Sequence, residues 1–95
     1  VKLVSYSYTN NVLMGQIEIQ NIAFSKLVSV FYANSSGWSA DNVIAASYSR
    51  GLPQFTGYEL WIFSANVTAD AFYVEYQVSG QTFYDNNGGE NYTLS

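Results

Sequence analysis

The sequence predicts an all-β fold, an antiparallel sandwich of about eight strands. Period-2 alternation of apolar and polar residues recurs along the chain, and no stretch long enough for a helix keeps a helical period. The alternating runs are short and rich in β-branched and aromatic residues, and Asn, Gly and Ser clusters separate them at regular spacing.

Taken in chain order, Thr9-Asn10-Asn11 marks the first turn. Leu13, Gly15, Ile17 and Ile19 then alternate with Met14, Gln16, Glu18 and Gln20. Val28, Val30 and Tyr32 form the apolar set of the next strand, which ends at a turn spanning Asn34 to Gly37. Trp38 follows in the polar stretch NSSGWSADN and reads as a loop residue. A further turn lies between Arg50 and Gly57. Trp61 and Phe63 face inward in GYELWIFSAN, as do Phe72, Val74, Tyr76 and Val78 in DAFYVEYQVS.

Ser79-Gly80 reads as a two-residue hairpin turn, which fixes the register beyond it. Val78 then faces Gln81, Tyr76 faces Phe83, and Glu75 faces Tyr84. Phe83 joins the apolar face, while Tyr73 and Tyr84 become diagonal neighbours on the other face. Such a tyrosine pair either stabilises the sheet or offers a stacking surface.

Composition excludes several function classes. Ninety-five residues, 48% of them hydrophobic and 11% charged, predict one domain over residues 1–95 with a real core and no room for a deep catalytic cleft. The net charge of −4 does not suit a nucleic-acid binder, which needs a basic surface to displace counterions. No polybasic anchor is present, and no apolar run approaches the ~18 residues that span a bilayer. The start at Val1 reads as a mature terminus or an excised fragment. The tripeptides Asn34-Ser35-Ser36, Asn66-Val67-Thr68 and Asn91-Tyr92-Thr93 fit the N-glycosylation pattern and point to a secreted protein.

Enzymatic chemistry finds little to work with. Neither His nor Cys occurs, so triads, thiol nucleophiles and zinc sites built on those residues are excluded. Asp41, Asp70, Asp85, Glu18, Glu59, Glu75 and Glu90 are scattered, whereas glycoside hydrolysis needs two carboxyl groups across one sugar. Asp85, Asn87 and Gly89 alternate like a calcium loop, but the glycine stands where an oxygen ligand belongs. No metal and no cofactor is expected. Aromatic residues make up 18% of the chain, and many have amide neighbours. A flat ring buries the C–H face of a pyranose, and Asn or Gln beside it can donate to and accept from the hydroxyls. Neutral sugars suit this composition.

FYDNNGGENY (83–92), preceded by AFYVEYQVSGQT and further upstream by EIQNIAFSK, Trp38-Ser39-Ala40-Asp41-Asn42 and YELWIFSA, resembles the starch-binding domains of carbohydrate-binding module family 21. The likeness is to the N-terminal modules of glucoamylases from Rhizopus-like moulds and covers nearly the whole chain. It implies an immunoglobulin-like sandwich that binds starch, amylose, malto-oligosaccharides and cyclodextrins. It also implies that catalysis belongs to an attached domain of a secreted, extracellular protein. The family's first site, carried over, falls on Trp38, Tyr73 and Tyr84, with polar contacts from Asn86 and Asn91. Its second falls on Phe24 and Tyr48, supported by Asn21, Lys26, Tyr58 and Glu59. Phe24 replaces a tyrosine, keeping the ring and losing a hydroxyl. Tyr48 shares its phase with Ile44 and Ala46, which alternation alone would bury. A glycogen-targeting adaptor is the rival reading, yet its basic-Val-x-Phe docking motif is missing around Lys26-Leu27-Val28. An immunoglobulin-like protein-binding module is another, and it would present a contiguous apolar patch instead of rings set among amides.

Overall fold

A computed structural model describes residues 1–52 and 57–94. Its strands are β1 (Lys2–Thr9), β2 (Val12–Gln20), β3 (Lys26–Asn34), β4 (Gly37–Ala45), β5 (Ser47–Gly51), β6 (Tyr58–Asn66), β7 (Ala71–Val78), β8 (Gln81–Asp85) and β9 (Tyr92–Thr93). They form two sheets, one ordered β1-β2-β6-β5 and the other β4-β3-β7-β8, with β9 also pairing β7. The pairings are antiparallel throughout the described residues. This order is that of an immunoglobulin-type sandwich, with the chain crossing between sheets after β2. The two-residue β9 takes the count one beyond the expected eight. The predicted turn between Arg50 and Gly57 lies partly outside the described residues.

Local chemistry explains the hairpins. Asn10 and Asn11 adopt φ of 54° and 62°, and Ser79 and Gly80 adopt 51° and 73°. Both central residues are left-handed in each turn, the type I′ geometry whose twist matches paired strands. The register beyond Ser79-Gly80 pairs Val78 with Gln81, Tyr76 with Phe83 and Glu75 with Tyr84, as the sequence predicts.

Inward-facing residues of both sheets make one core: Leu3, Leu13, Ile17 and Ile19 with Phe63 from one sheet, Val28, Val30, Ile44, Phe72, Val74, Tyr76 and Val78 from the other. The Tyr76 hydroxyl donates to the Gln20 carbonyl at 2.6 Å, so this buried phenol satisfies its polar end while tying the sheets together. Gly15 holds an inward position that admits no side chain. A Cβ there would lie 2.7 Å from the Phe63 ring and 2.7 Å from the Ser5 carbonyl oxygen. Phe63 fills the space that the missing side chain leaves.

Some expectations change. Phe83 is on the apolar face and 5.9 Å from Tyr76, but β8 is an edge strand and the ring stays 37% exposed. Trp38 lies on β4 and not in a loop: Gly37, at φ 95°, completes the turn in one step and the strand begins there. Tyr48 is also not in the core. Ala46 is half-buried against the core, but the chain leaves the second sheet at Ala45 and enters the first at Ser47, so the inward phase of Ile44 and Ala46 does not carry on to Tyr48. Ala46 itself donates to the Val28 carbonyl at 2.9 Å, and Tyr48 emerges 55% exposed.

Candidate functional site

The outer face of the β4-β3-β7-β8 sheet carries aromatic rings in a row across the strands. Phe31 and Tyr73 are register partners on β3 and β7, stacked at 5.5 Å with planes 22° apart. Trp38 on β4 lies 5.4 Å from Tyr73 at 40°, and Tyr84 on β8 lies 6.1 Å from Tyr73 at 62°. Trp38 is 48% and Tyr84 56% exposed, so both rings are open to solvent. Burial raises the Tyr73 phenol above its ordinary pKa, aided by Glu75 and Tyr84, and the hydroxyl stays a neutral donor and acceptor.

Grooves lie on both sides of Tyr73. One, of about 310 Å³, is lined by Tyr73, Tyr84, Asn86 and Asn91. The other, of about 400 Å³, is lined by Phe31, Trp38, Ser39, Ala40, Tyr73 and Glu75. The expected first-site residues thus share one face while dividing between adjoining grooves. Phe31, Ser39 and Glu75 join them without having been singled out from the sequence.

The loop that carries the amides is built by its own hydrogen bonds. β8 and β9 pair with the same strand, β7, and the loop bulges out between them around a short 3₁₀ turn at Asn87–Gly89. Asn87, Gly88, Gly89 and Asn91 take φ of 54°, 70°, 95° and 61°, conformations that glycine and asparagine adopt most readily. The Asn86 Oδ1 accepts from the Gly89 N–H at 3.0 Å, which leaves the donor half of the amide to a ligand in the groove that Asn86 lines. The Asn91 N–H donates to the Asn86 carbonyl at 2.7 Å, and the Asn91 carbonyl accepts from Asn87 Nδ2 at 3.1 Å.

Asp85 anchors this loop to the rest of the fold. Its carboxylate accepts from the Leu3 N–H at 2.7 Å, the Tyr92 hydroxyl at 2.8 Å and the Asn87 N–H at 3.3 Å. Tyr92 stacks on Phe72 at 5.2 Å, packing against the sheet. Burial, then the hydrogen bond and the negative charge of Asp85, push the Tyr92 phenol up to about 12. The folded value lies above the unfolded one, so the neutral phenol's contribution is complete below about pH 10 and is lost as pH rises through the folded value. Stability should therefore fall more steeply above pH ~10 in the parent chain than in Tyr92→Phe. Thermal melts by circular dichroism between pH 9 and 12.5 would check this, and equal slopes would remove Tyr92 as a cause.

A further groove, about 590 Å³, opens where the β2–β3 connection meets β5 and β6. Asn21, Ile22, Ala23, Phe24, Lys26, Tyr48, Glu59 and Trp61 line it. Phe24 is 99% exposed, with the Lys26 ammonium 6.0 Å from its ring centroid. Lys26 Nζ lies 3.4 Å from Glu59 Oε1, and the same oxygen accepts from Trp61 Nε1 at 3.1 Å. That arrangement neutralises both charges and fixes the carboxylate. Tyr48 meets Trp61 edge-on at 6.2 Å. The structure thus gathers the expected second-site residues, except that Tyr58, next to Glu59 on β6, is outside the groove's described lining. Trp61, assigned inward from alternation, packs against the core and also forms part of this wall.

The profile of the carbohydrate/starch-binding module (family 21) matches residues 1–95. Glucoamylase 1 of Rhizopus oryzae is 46% identical over all of this chain, which spans 16% of that protein's length. Protein phosphatase 1 regulatory subunit 3C of Bos taurus is 27% identical over 99% of this chain and 31% of its own length. Among solved structures, the starch-binding domain of Rhizopus oryzae glucoamylase in complex with β-cyclodextrin and maltoheptaose superposes with a TM-score of 0.90 at 44% identity, over 99% of this chain and 91% of that one. The carbohydrate-binding module of the muscle glycogen-targeting subunit of protein phosphatase 1 superposes with a TM-score of 0.66 at 31% identity, over 97% and 72%.

Proposed function

The chain belongs to carbohydrate/starch-binding module family 21, and from that premise we propose that it is a non-catalytic module that holds α-1,4-glucans: starch, amylose, malto-oligosaccharides and cyclodextrins. In the full protein it would anchor an attached glucan-hydrolysing domain, of the glucoamylase type, to raw starch outside the cell. Trp38, Tyr73 and Tyr84, with Asn86 and Asn91, make the first binding face. Phe24 and Tyr48, with Asn21, Lys26 and Glu59, make the second, and Tyr58 supports it from the neighbouring strand position.

The observation that carries this reading is the tilt of the rings. Trp38 and Tyr84 stand 40° and 62° from the plane of Tyr73, so no flat ribbon can lie against all of them. An α-1,4-glucan curves and turns successive glucose faces through such angles, whereas a cellulose chain is straight and flat. Each buried ring face gains roughly 25 cal/mol per Å² of apolar sugar surface covered. Hydroxyls contribute less, about 0.5–1.5 kcal/mol each, because they give up good hydrogen bonds to water. Affinity at one face should then be micromolar or weaker, on the order of −8 kcal/mol at most.

Sedimentation with insoluble starch, with cellulose as control, tests the proposal. Retention on starch and not on cellulose is expected; equal retention on both would falsify it. The glycogen-adaptor reading draws on the likeness to phosphatase subunits. The higher identity to glucoamylase favours starch anchoring.

A further inference from the structure

The grooves flanking Tyr73 differ in kind. On the Tyr84 side, Asn86 and Asn91 supply amides from a loop braced by its own hydrogen bonds. On the Trp38 side the polar groups are the Glu75 carboxylate and the Ser39 hydroxyl, and the floor includes the Phe31 ring. Phe31 projects outward because Val30 on the same strand is fully buried and strand neighbours alternate. Its ring packs nearly parallel to Tyr73, so Phe31 from β3 and Trp38 from β4 both lie against the Tyr73 ring. Glu75 is two positions beyond Tyr73 on the same face, and its Oε1 accepts from Gln77 Nε2 at 2.8 Å. That bond orients the carboxylate, whose lone pairs suit the hydroxyl donors of a neutral sugar.

We infer that Phe31 and Glu75 form a glucose-binding subsite on the Trp38 side of Tyr73, so that this face selects for glucan length. The inference rests on the starch-binding reading above. A short glucan is held at the Tyr84 side, where the amides fix its hydroxyls. A longer one passes over Tyr73 and sets a further glucose against Phe31 and Trp38, with Glu75 accepting from its hydroxyls.

Calorimetric titrations of maltose, maltotriose and maltoheptaose test this, in a Phe24→Ala background so that the other groove does not contribute. Phe31→Ala should weaken maltoheptaose binding roughly five- to tenfold, as expected for losing about half a ring's apolar contact, and leave maltose within about twofold. Glu75→Gln should cost about threefold on maltoheptaose alone, the loss of one charge-assisted acceptor. Phe31→Leu, which keeps volume and loses the flat face, should follow Phe31→Ala, and it decides the matter if the alanine variant fails to fold. Affinity for every length left unchanged, or lowered equally for all, would overturn the subsite. Should the parent chain bind no oligosaccharide, the starch-binding reading itself fails. If the parent binds and Tyr84→Ala weakens it while Phe31→Ala and Phe31→Leu do not, only the subsite fails.

Discussion

Tyr73→Ala should lower the affinity of the aromatic face for maltoheptaose by about 30-fold, more than any other single truncation there. Tyr73 is the wall common to both grooves, whereas Trp38 and Tyr84 each line one. Its removal therefore weakens contact with the sugar on either side and breaks the continuity between them. Trp38→Ala, which strips one groove, should cost roughly two-thirds of that free energy despite its larger ring. The fold should survive, because Tyr73 faces away from the core formed by Phe72 and Val74 on the same strand. Ring contacts to Phe31, Trp38 and Tyr84 are lost, at about 0.5–1.5 kcal/mol for each pair, and a denaturant curve will show a lower midpoint with a folded baseline. Tyr73→Phe keeps the stacking surface and should retain most of the affinity. A folded Tyr73→Ala that binds maltoheptaose as the parent does would remove this face as the ligand site.

The pairing of Tyr73 with Tyr84 was legible before the structure because a short left-handed turn at Ser79-Gly80 sets both register and parity. Phe31 was not. Its outward direction follows from the inward set of Val28, Val30 and Tyr32, but its partner Tyr73 comes from a pairing between β3 and β7, which no local turn specifies. Glu75 escaped for a related reason. A lone acid on an outward strand position reads as a solvated charge until the neighbouring strands place Phe31 and Trp38 around it. Tyr48 shows how alternation fails: periodicity assumes one sheet, and the chain changes sheets at Ala46. Trp61 shows the opposite limit, since an indole is long enough to touch the core at one edge and a groove at the other. The family likeness supplied Phe24 and Tyr48 where pattern alone had no means of joining them.

Phe24→Ala should reduce retention on starch granules by more than tenfold while leaving short-oligosaccharide affinity at the aromatic face unchanged, because linked weak sites raise apparent affinity by ~10²–10⁴ when both engage one particle. The aromatic face lies on the outside of one sheet, and the Phe24 groove opens between the β2–β3 connection and strands of the other. The two sites thus belong to different sheets, and a short glucan is expected to engage one of them at a time. A granule offers many chains, and the second contact then becomes intramolecular. Phe24 makes a clean test: it is 99% exposed, and its ring meets the Lys26 ammonium at 6.0 Å, the edge of useful cation–π range. Lys26 keeps Glu59 as partner when the ring is gone, so the charges in the groove stay neutralised. Stoichiometry for maltoheptaose should fall from about two to about one, and the granule isotherm should lose its steep low-concentration limb. Removing both faces, as in Phe24→Ala with Tyr73→Ala, should abolish retention. If Phe24→Ala matches the parent in calorimetry and on granules alike, the groove at Phe24 and Tyr48 binds no glucan and starch is held by one face.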